Sequence, residues 1–239
     1  MLDHLSKILQ GKKRDISKII THIAITLEGQ NLDNEYLEKL GLTPEGLYLK
    51  KAKLLNELSV AQVRLGVPIL TIFLLSSRKL GTGFPLQVKH LKTILDGLRL
   101  EFLHKNQVKV SFIGKWYELP SDAVDKIKQL LDETRDYDRY FLNLCVYYDG
   151  QAEIVDACQM IARRVERQRV SPEEITKQTI KDNLYTSQYP APNLIIVNDS
   201  NALQGFLLWD ASDSKIIFTN KPWLEFSPQE FKKLLEQGL

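Results

Sequence analysis

Gly66–Ser77 reads GVPILTIFLLSS, and its centre, Ile69–Leu75, is apolar but for Thr71, with no polar alternation. A strand with one wet face alternates. A nearly unbroken apolar run of this length is the pattern of a strand covered on both faces. Runs of the same kind recur at His22–Leu27, Val108–Ile113, Phe141–Tyr147, Leu194–Val197 and Lys215–Thr219. Such strands need helices on both sides of their sheet, and the intervening sequence supplies them.

Glu35–Leu65 carries Leu37, Leu40, Leu47, Leu54, Leu55, Leu58 and Val63, with a break expected near Gly41–Pro44. Leu86–His104 places Leu91, Ile94, Leu95, Leu98 and Phe102 on one helical face. Pro120-Ser121-Asp122 predicts a helix start with Ser121 as N-cap. Gln151–Arg167 predicts a helix directly after the fourth strand. Ser171-Pro172-Glu173-Glu174 and Ser227-Pro228-Gln229-Glu230 each combine a capping serine, a proline at the first helical position and acids in the first turn. Strands alternating with helices predict an α/β fold with about six mostly parallel strands surrounded by helices. No linker or repeat divides the chain, so residues 1–239 read as a single domain.

Lys and Arg total 32 against 30 Asp and Glu, a formal charge of +2, which argues against nucleic-acid binding by bulk charge. No apolar run reaches the roughly 18 residues of a membrane-spanning helix. Met1–Gln10 is too short and polar for a secretory signal. Cys145 and Cys158 form no metal-type pair and read as free thiols of a reducing cytoplasm. Residues 1–20 read as an N-terminal amphipathic helix, with Leu2, Leu5, Ile8 and Leu9 on one face before Lys12-Lys13-Arg14. A peripheral membrane contact is the expectation attached to that helix.

In parallel sheets ligands sit beyond the carboxyl ends of the strands. That rule selects Glu28-Gly29-Gln30-Asn31, Ser76-Ser77-Arg78-Lys79, Gly114-Lys115, Tyr148-Asp149-Gly150-Gln151 and Asn198–Asn201. These loops carry scattered charges but no glycine-rich phosphate fingerprint. Gly81-Thr82-Gly83 lacks the third glycine. His4, His22, His90 and His104 are dispersed, none at metal spacing from another His or Cys.

Together the segments resemble the cis-prenyltransferase family, typified by undecaprenyl diphosphate synthase. His22–Gly29 (HIAITLEG) is similar to the family's opening H-x-A-I-I-M-D-G, and Gly66–Ser77 to its second strand. Val110–Gly114 (VSFIG) is similar to its third strand, and Asn143–Val155 to N-x-x-x-N-Y-G-G-R-x-E-I-V. Gly205–Trp209 (GFLLW) resembles N-F-L-L-W, and the Phe218-Thr219…Trp223…Phe226 spacing resembles the closing F-T-x-x-x-W-P-x-F. The resemblance implies a hydrophobic tunnel for an isoprenoid chain, with the Leu86–His104 stripe as tunnel wall or as plain core. It also implies a dimer surface around Phe206–Pro222, including Phe206, Trp209, Lys215 and Phe218.

Carried over position by position, the resemblance also shows departures. The family's metal-binding Asp falls on Glu28, its Asn on Gln30, and its next Arg on Leu32. Its Glu-Asn-Trp falls on Arg78-Lys79-Leu80 and its fourth-segment Arg on Gln151. Its isopentenyl diphosphate loop, with two arginines, falls on Val197–Gln204, which has none. Each charge-assisted bond to a phosphate contributes roughly 1.5–3 kcal/mol, so several losses weaken diphosphate binding severely. A second metal-associated Glu falls on Lys215, which suggests an ion pair with Glu28 in place of the metal.

Two expectations follow from the resemblance. The first is a degenerate subunit that pairs with a catalytic cis-prenyltransferase, or with itself, in polyprenyl diphosphate synthesis, with no cofactor of its own. Gly205, in place of the active chain's Asn, fits it. The tail Glu236-Gln237-Gly238-Leu239 does not, because such partners end in Arg-x-Gly. The second is an atypical prenyl diphosphate-using transferase or terpene cyclase built on Glu28, Arg78, Lys79, Lys115 and Asp149, with magnesium on Glu28. The substrate-binding candidates are Gly29, Gln30, Ser76, Arg78, Lys79 and Gln151.

Overall fold

The structure is a computed structural model that describes residues 20–27, 41–78 and 84–238. In chain order its elements are β1 (His22–Thr26), α1 (Pro44–Leu65), β2 (Ile69–Ser76), α2 (Phe84–Asp96), α3 (Leu100–Asn106), β3 (Val108–Ile113) and α4 (Ser121–Glu133). There follow β4 (Tyr140–Tyr148), α5 (Gly150–Glu166), α6 (Lys177–Lys181), β5 (Leu194–Asn198), β6 (Lys215–Thr219) and α7 (Pro228–Gly238). The strands form one sheet in the order β3-β4-β2-β1-β5-β6, and every neighbouring pair is parallel.

The apolar runs are explained by burial on both faces. β1, β2 and β5 are buried at every position. Ile23 and Ile25 of β1 and Leu194 and Ile196 of β5 join a core shared with α1, α2, α4 and α7. Ala24, Ile195 and Val197 face the opposite core with Phe73, Tyr148 and Phe206. Edge strand β6 is only half covered, with Lys215 and Phe218 exposed.

Local chemistry sets the helix ends. Thr43 Oγ1 accepts the Gly46 N–H at 3.1 Å to open α1, and Gly66, at φ 70°, closes it. The predicted stretch from residue 35 begins outside the described residues. The single helix expected over Leu86–His104 is two, α2 and α3. A Cβ at Gly97 would lie 2.6 Å from that of Ala52. Asn56 holds the break open: its Nδ2 donates to the Gly97 carbonyl at 2.8 Å, and its Oδ1 accepts the Arg99 N–H at 3.0 Å. Ser121 is not the N-cap of α4. Pro120 takes that place, its carbonyl accepting from Val124 N–H at 3.1 Å, and Ser121 is the first helical residue.

Ser171–Glu174 forms a capping box on a single 3₁₀ turn, because Ile175 is extended and Thr176 caps a separate short helix. Ser227 does cap α7, accepting the Glu230 N–H at 3.2 Å. The apolar stripe of α2 is core wall: Val88, Leu91, Ile94 and Leu95 are buried. The groove beside it, about 420 Å³, is lined by Pro85, Val88 and Pro120 as well as Lys89, Lys92 and Asp122.

Candidate functional site

The carboxyl ends of β1, β2, β4 and β5 converge on one edge of the sheet. Between the central strands, the Asn198 N–H donates to Thr26 Oγ1 at 2.9 Å and Asn198 Nδ2 donates to the Thr26 carbonyl at 2.8 Å. Beside them a cleft of about 10 Å³ is lined by Thr26, Phe73, Asn198, Ser200 and Gln204, room for about one water.

Helix α5 begins at this edge, where its unpaired N–H groups and dipole favour a negative group. The chain itself supplies those partners. Asp149, the N-cap, accepts the Gln151 N–H on Oδ1 at 3.1 Å. The Gly150 N–H donates to the Gly205 carbonyl at 2.8 Å. Arg78, just beyond β2, donates from Nε to the same Asp149 Oδ1 at 2.8 Å, and both side chains are largely covered. Gly205 is at φ 88°, and a Cβ there would lie 2.8 Å from Asp149 Oδ1 and 2.9 Å from Arg78 Cζ. Glycine is therefore required both by its conformation and by the close approach.

Next to this knot, Lys115 Nζ lies 2.8 Å from Asp156 Oδ2, and the Tyr185 hydroxyl donates to the same carboxylate. The hydrogen bond to Asp156 raises Lys115 above its ordinary range. Burial pushes Asp156 upward, but Lys115 and Tyr185 outweigh it and hold the carboxyl low.

Beneath the edge lies a buried polar chain. The Tyr148 hydroxyl donates to Glu153 Oε2 at 2.5 Å, and the Thr186 N–H donates to Oε1 at 3.2 Å. Thr186 Oγ1 and Lys181 Nζ both donate to Asp210, each at 2.7 Å. Burial, with Asp210 nearby, pushes the Glu153 carboxyl up to about 7 against the hydrogen bond from Tyr148. At the start of β1, His22 Nδ1 meets the Pro190 carbonyl and Nε2 meets Thr71 Oγ1 of β2, both at 2.7 Å. Burial lowers His22 to about 4.

The predicted site residues divide unevenly. Arg78 and Asp149 are brought together, and Lys115 stands on the same edge. Ser76 ends β2 with its hydroxyl accepting the Arg78 N–H at 3.1 Å. Gln151 sits in the first turn of α5 with its side chain exposed. Glu28, Gly29, Gln30 and Lys79 lie outside the described residues, as do residues 1–19 of the expected amphipathic helix.

The surface expected at Phe206–Pro222 is corrected at Phe206. That ring is fully buried and stacks on Phe73 with centroids 5.1 Å apart, so it packs within its own chain. Trp209 is half-buried, and Lys215 and Phe218 are exposed on β6. Lys215 opens β6 at the amino edge of the sheet, in register with Leu194, and its Nζ donates to the Gln237 carbonyl at 2.8 Å. The ammonium group is thus tied to α7, at the end of the sheet opposite to the carboxyl edge, and Glu28, its expected partner, lies outside the described residues.

Glu153, Lys181 and Asp210 were not anticipated. Glu153 had a signal, since it falls on the buried face of α5 with Gly150, Ala157 and Ile161. A carboxylate on an apolar stripe needs a partner. Among the described residues no three His, Cys, Asp or Glu stand together as a metal would require. Asp149 and Asp156 are each held by a cation, and Glu28, the expected magnesium ligand, lies outside the described residues.

An all-parallel sheet covered by helices, with its polar knot at the carboxyl edge, defines an α/β protein. Residues 36–237 match the undecaprenyl diphosphate synthase (prenyltransferase) family, and the chain belongs to that family. The isoprenyl transferase of Streptococcus mutans is 33% identical over 245 residues, covering 96% of this chain and 94% of that one. The tritrans,polycis-undecaprenyl-diphosphate synthase of Methanocaldococcus jannaschii is 30% identical over 228 residues, covering 91% and 79%. Lavandulyl diphosphate synthase from Lavandula x intermedia, solved with dimethylallyl diphosphate, shares the fold at a TM-score of 0.84 and 22% identity, covering 94% and 96%.

Proposed function

We propose that this chain is a partner subunit of polyprenyl diphosphate synthesis, pairing with a catalytic homologue and not itself joining prenyl units. One observation carries this reading. The amino end of α5, the natural seat for a phosphate at this edge, is taken by the chain's own Asp149 carboxylate and Gly205 carbonyl. Arg78, the nearest cation among the described residues, is neutralised by Asp149. An incoming diphosphate meets a carboxylate where it needs an N–H, and must displace an ion pair to gain an arginine. The sequence adds the missing arginines at Gln151 and Val197–Gln204. The exposed edge strand β6, with Phe218 and Lys215, is the surface we assign to the partner, whether a catalytic homologue or a second copy.

A second reading has support in the relatives, which are named as an isoprenyl transferase and an undecaprenyl-diphosphate synthase. In it Arg78 and Lys115 swing from Asp149 and Asp156 onto a prenyl diphosphate, with magnesium on Glu28.

Co-expression with a complete homologue, co-purification and an isopentenyl diphosphate incorporation assay separate the two. The partner reading expects incorporation by the complex above that of the homologue alone, and none by this chain alone with magnesium. Incorporation by the lone chain, abolished in Glu28→Ala, establishes the second reading instead.

A further inference from the structure

α5 is the crossover between β4 and β5. It therefore carries its carboxyl end to the amino edge of the sheet, opposite to the site above. Its inner face is Gly150, Glu153, Ala157 and Ile161. Along one outer flank, spaced by three and four residues, stand Asp156, Met160, Arg163, Arg164 and Arg167. Asp156 is tied to Lys115 and Tyr185, which ends the polar knot. Beyond it the flank is open: Met160 is 51% exposed, and Arg163, Arg164, Arg167 and the following Arg169 are all exposed.

None of these four guanidinium groups meets an acid or donates a hydrogen bond among the described residues. That is unusual in a chain with nearly balanced charge. Glu166 alone interrupts the run, and Glu173 and Glu174 follow it, with Glu174 turned onto the Ser171 N–H at 2.8 Å. Arginines fix anionic groups with planar forks, and a methionine between them adds an apolar contact. A single-stranded nucleic acid would call for exposed aromatic rings beside the cations, and this flank has none. A bilayer interface with anionic headgroups takes cations and an apolar side chain together.

We propose that the Met160–Arg169 flank docks the protein on an anionic bilayer surface. The contact is independent of the partner-subunit reading, because it lies at the other edge of the sheet. It leaves the carboxyl edge free while the chain is on a membrane.

The test is vesicle flotation of the full chain. The probes are phosphatidylcholine alone and phosphatidylcholine with 30 mol% phosphatidylglycerol. The proposal expects flotation on the anionic vesicles only, weakening as salt rises. Each cluster arginine near the surface is worth about fivefold in partitioning, so R163Q/R164Q/R167Q lowers it by roughly a hundredfold. M160Q lowers it by a smaller factor at unchanged salt dependence. All four side chains are exposed, so thermal melts of the variants match the parent chain. Absence of flotation on both vesicles overturns the proposal. So does equal flotation on the neutral ones, or unchanged flotation of the triple variant. Tighter binding of the chain to single-stranded RNA than to the anionic vesicles, lost in the triple variant, replaces the bilayer with a polynucleotide and also overturns it.

Discussion

Arg78 Nε and Asp149 Oδ1 meet at 2.8 Å across the carboxyl ends of β2 and β4, and the same oxygen caps α5. One carboxylate thus serves two elements that are 71 residues apart. The two roles differ in strength. An N-cap contributes about 0.5–2 kcal/mol, whereas a partly solvated ion pair contributes about 0–1 kcal/mol. Asp149→Ala is expected to lower stability by about 1–2 kcal/mol and Arg78→Ala by less than about 1 kcal/mol. Urea unfolding of both singles and the double variant measures the coupling. A coupling above about 2 kcal/mol would show that the pair, rather than the cap, dominates.

Gly205 is predicted to be a sensitive glycine at this edge, beside Gly114 and Gly150, where a Cβ would meet backbone carbonyls at 2.5 Å. An alanine there is opposed by the positive φ of 88° and by contacts at 2.8 and 2.9 Å. Arg78 can swing away, but the backbone strain stays. Gly205→Ala should therefore cost on the order of 1–3 kcal/mol, of which Arg78→Ala in the same chain recovers only part. Thermal melts of the single and double variants report the split, and full recovery would mean that the contact, not φ, made glycine necessary.

The sheet was legible because both its faces are buried: runs such as Ile69–Leu75 and Val108–Ile113 coincide with β2 and β3 to within a residue. The helix break at Gly97 was not legible, since it depends on Asn56, which lies 41 residues away. At the carboxyl edge the strand-end rule selected Arg78, Lys115 and Asp149 together. Only the fold shows that Arg78 and Asp149 neutralise each other, because the partner of a charge depends on register and not on local pattern. Phe206 misled for a related reason: an aromatic motif does not say which of its rings faces inward.

Phe206 and Phe218 should separate stability from association. Phe206 is fully buried against Phe73, whereas Phe218 is 44% exposed on edge strand β6. Phe206→Ala is expected to lose about 3–5 kcal/mol as a core truncation, with no loss of assembly beyond that caused by unfolding. Phe218→Ser should leave the melting temperature nearly unchanged and weaken assembly if β6 meets the partner. Sedimentation equilibrium beside thermal denaturation reads both. An assembly insensitive to Phe218→Ser would move the interface off this strand.

Glu153 and His22 should bend the pH–stability curve in opposite directions. Burial lowers His22 to about 4, so the unfolded chain binds its proton more readily than the native one. Its contribution is complete above about pH 6.5 and is lost as pH falls towards 4, by about 3 kcal/mol for a shift of this size. His90, stacked on Tyr48, is lowered to about 4 by burial and by Lys89 and Lys51, and adds to the same limb. Glu153 is raised to about 7, so the native state holds its proton where the unfolded chain has released it. That contribution is present below about pH 4.5 and declines as pH rises through 7, by on the order of 2–3 kcal/mol. Glu153→Gln keeps a partner for the Tyr148 hydroxyl and the Thr186 N–H but cannot ionise. Its stability relative to the parent should therefore improve steadily from pH 5 to 8. His22→Gln should instead flatten the acid limb. Urea midpoints across pH 4–8 measure both slopes. A Glu153→Gln difference that does not change with pH would mean that Glu153 is ionised throughout, held by Lys181 through the Thr186–Asp210 chain.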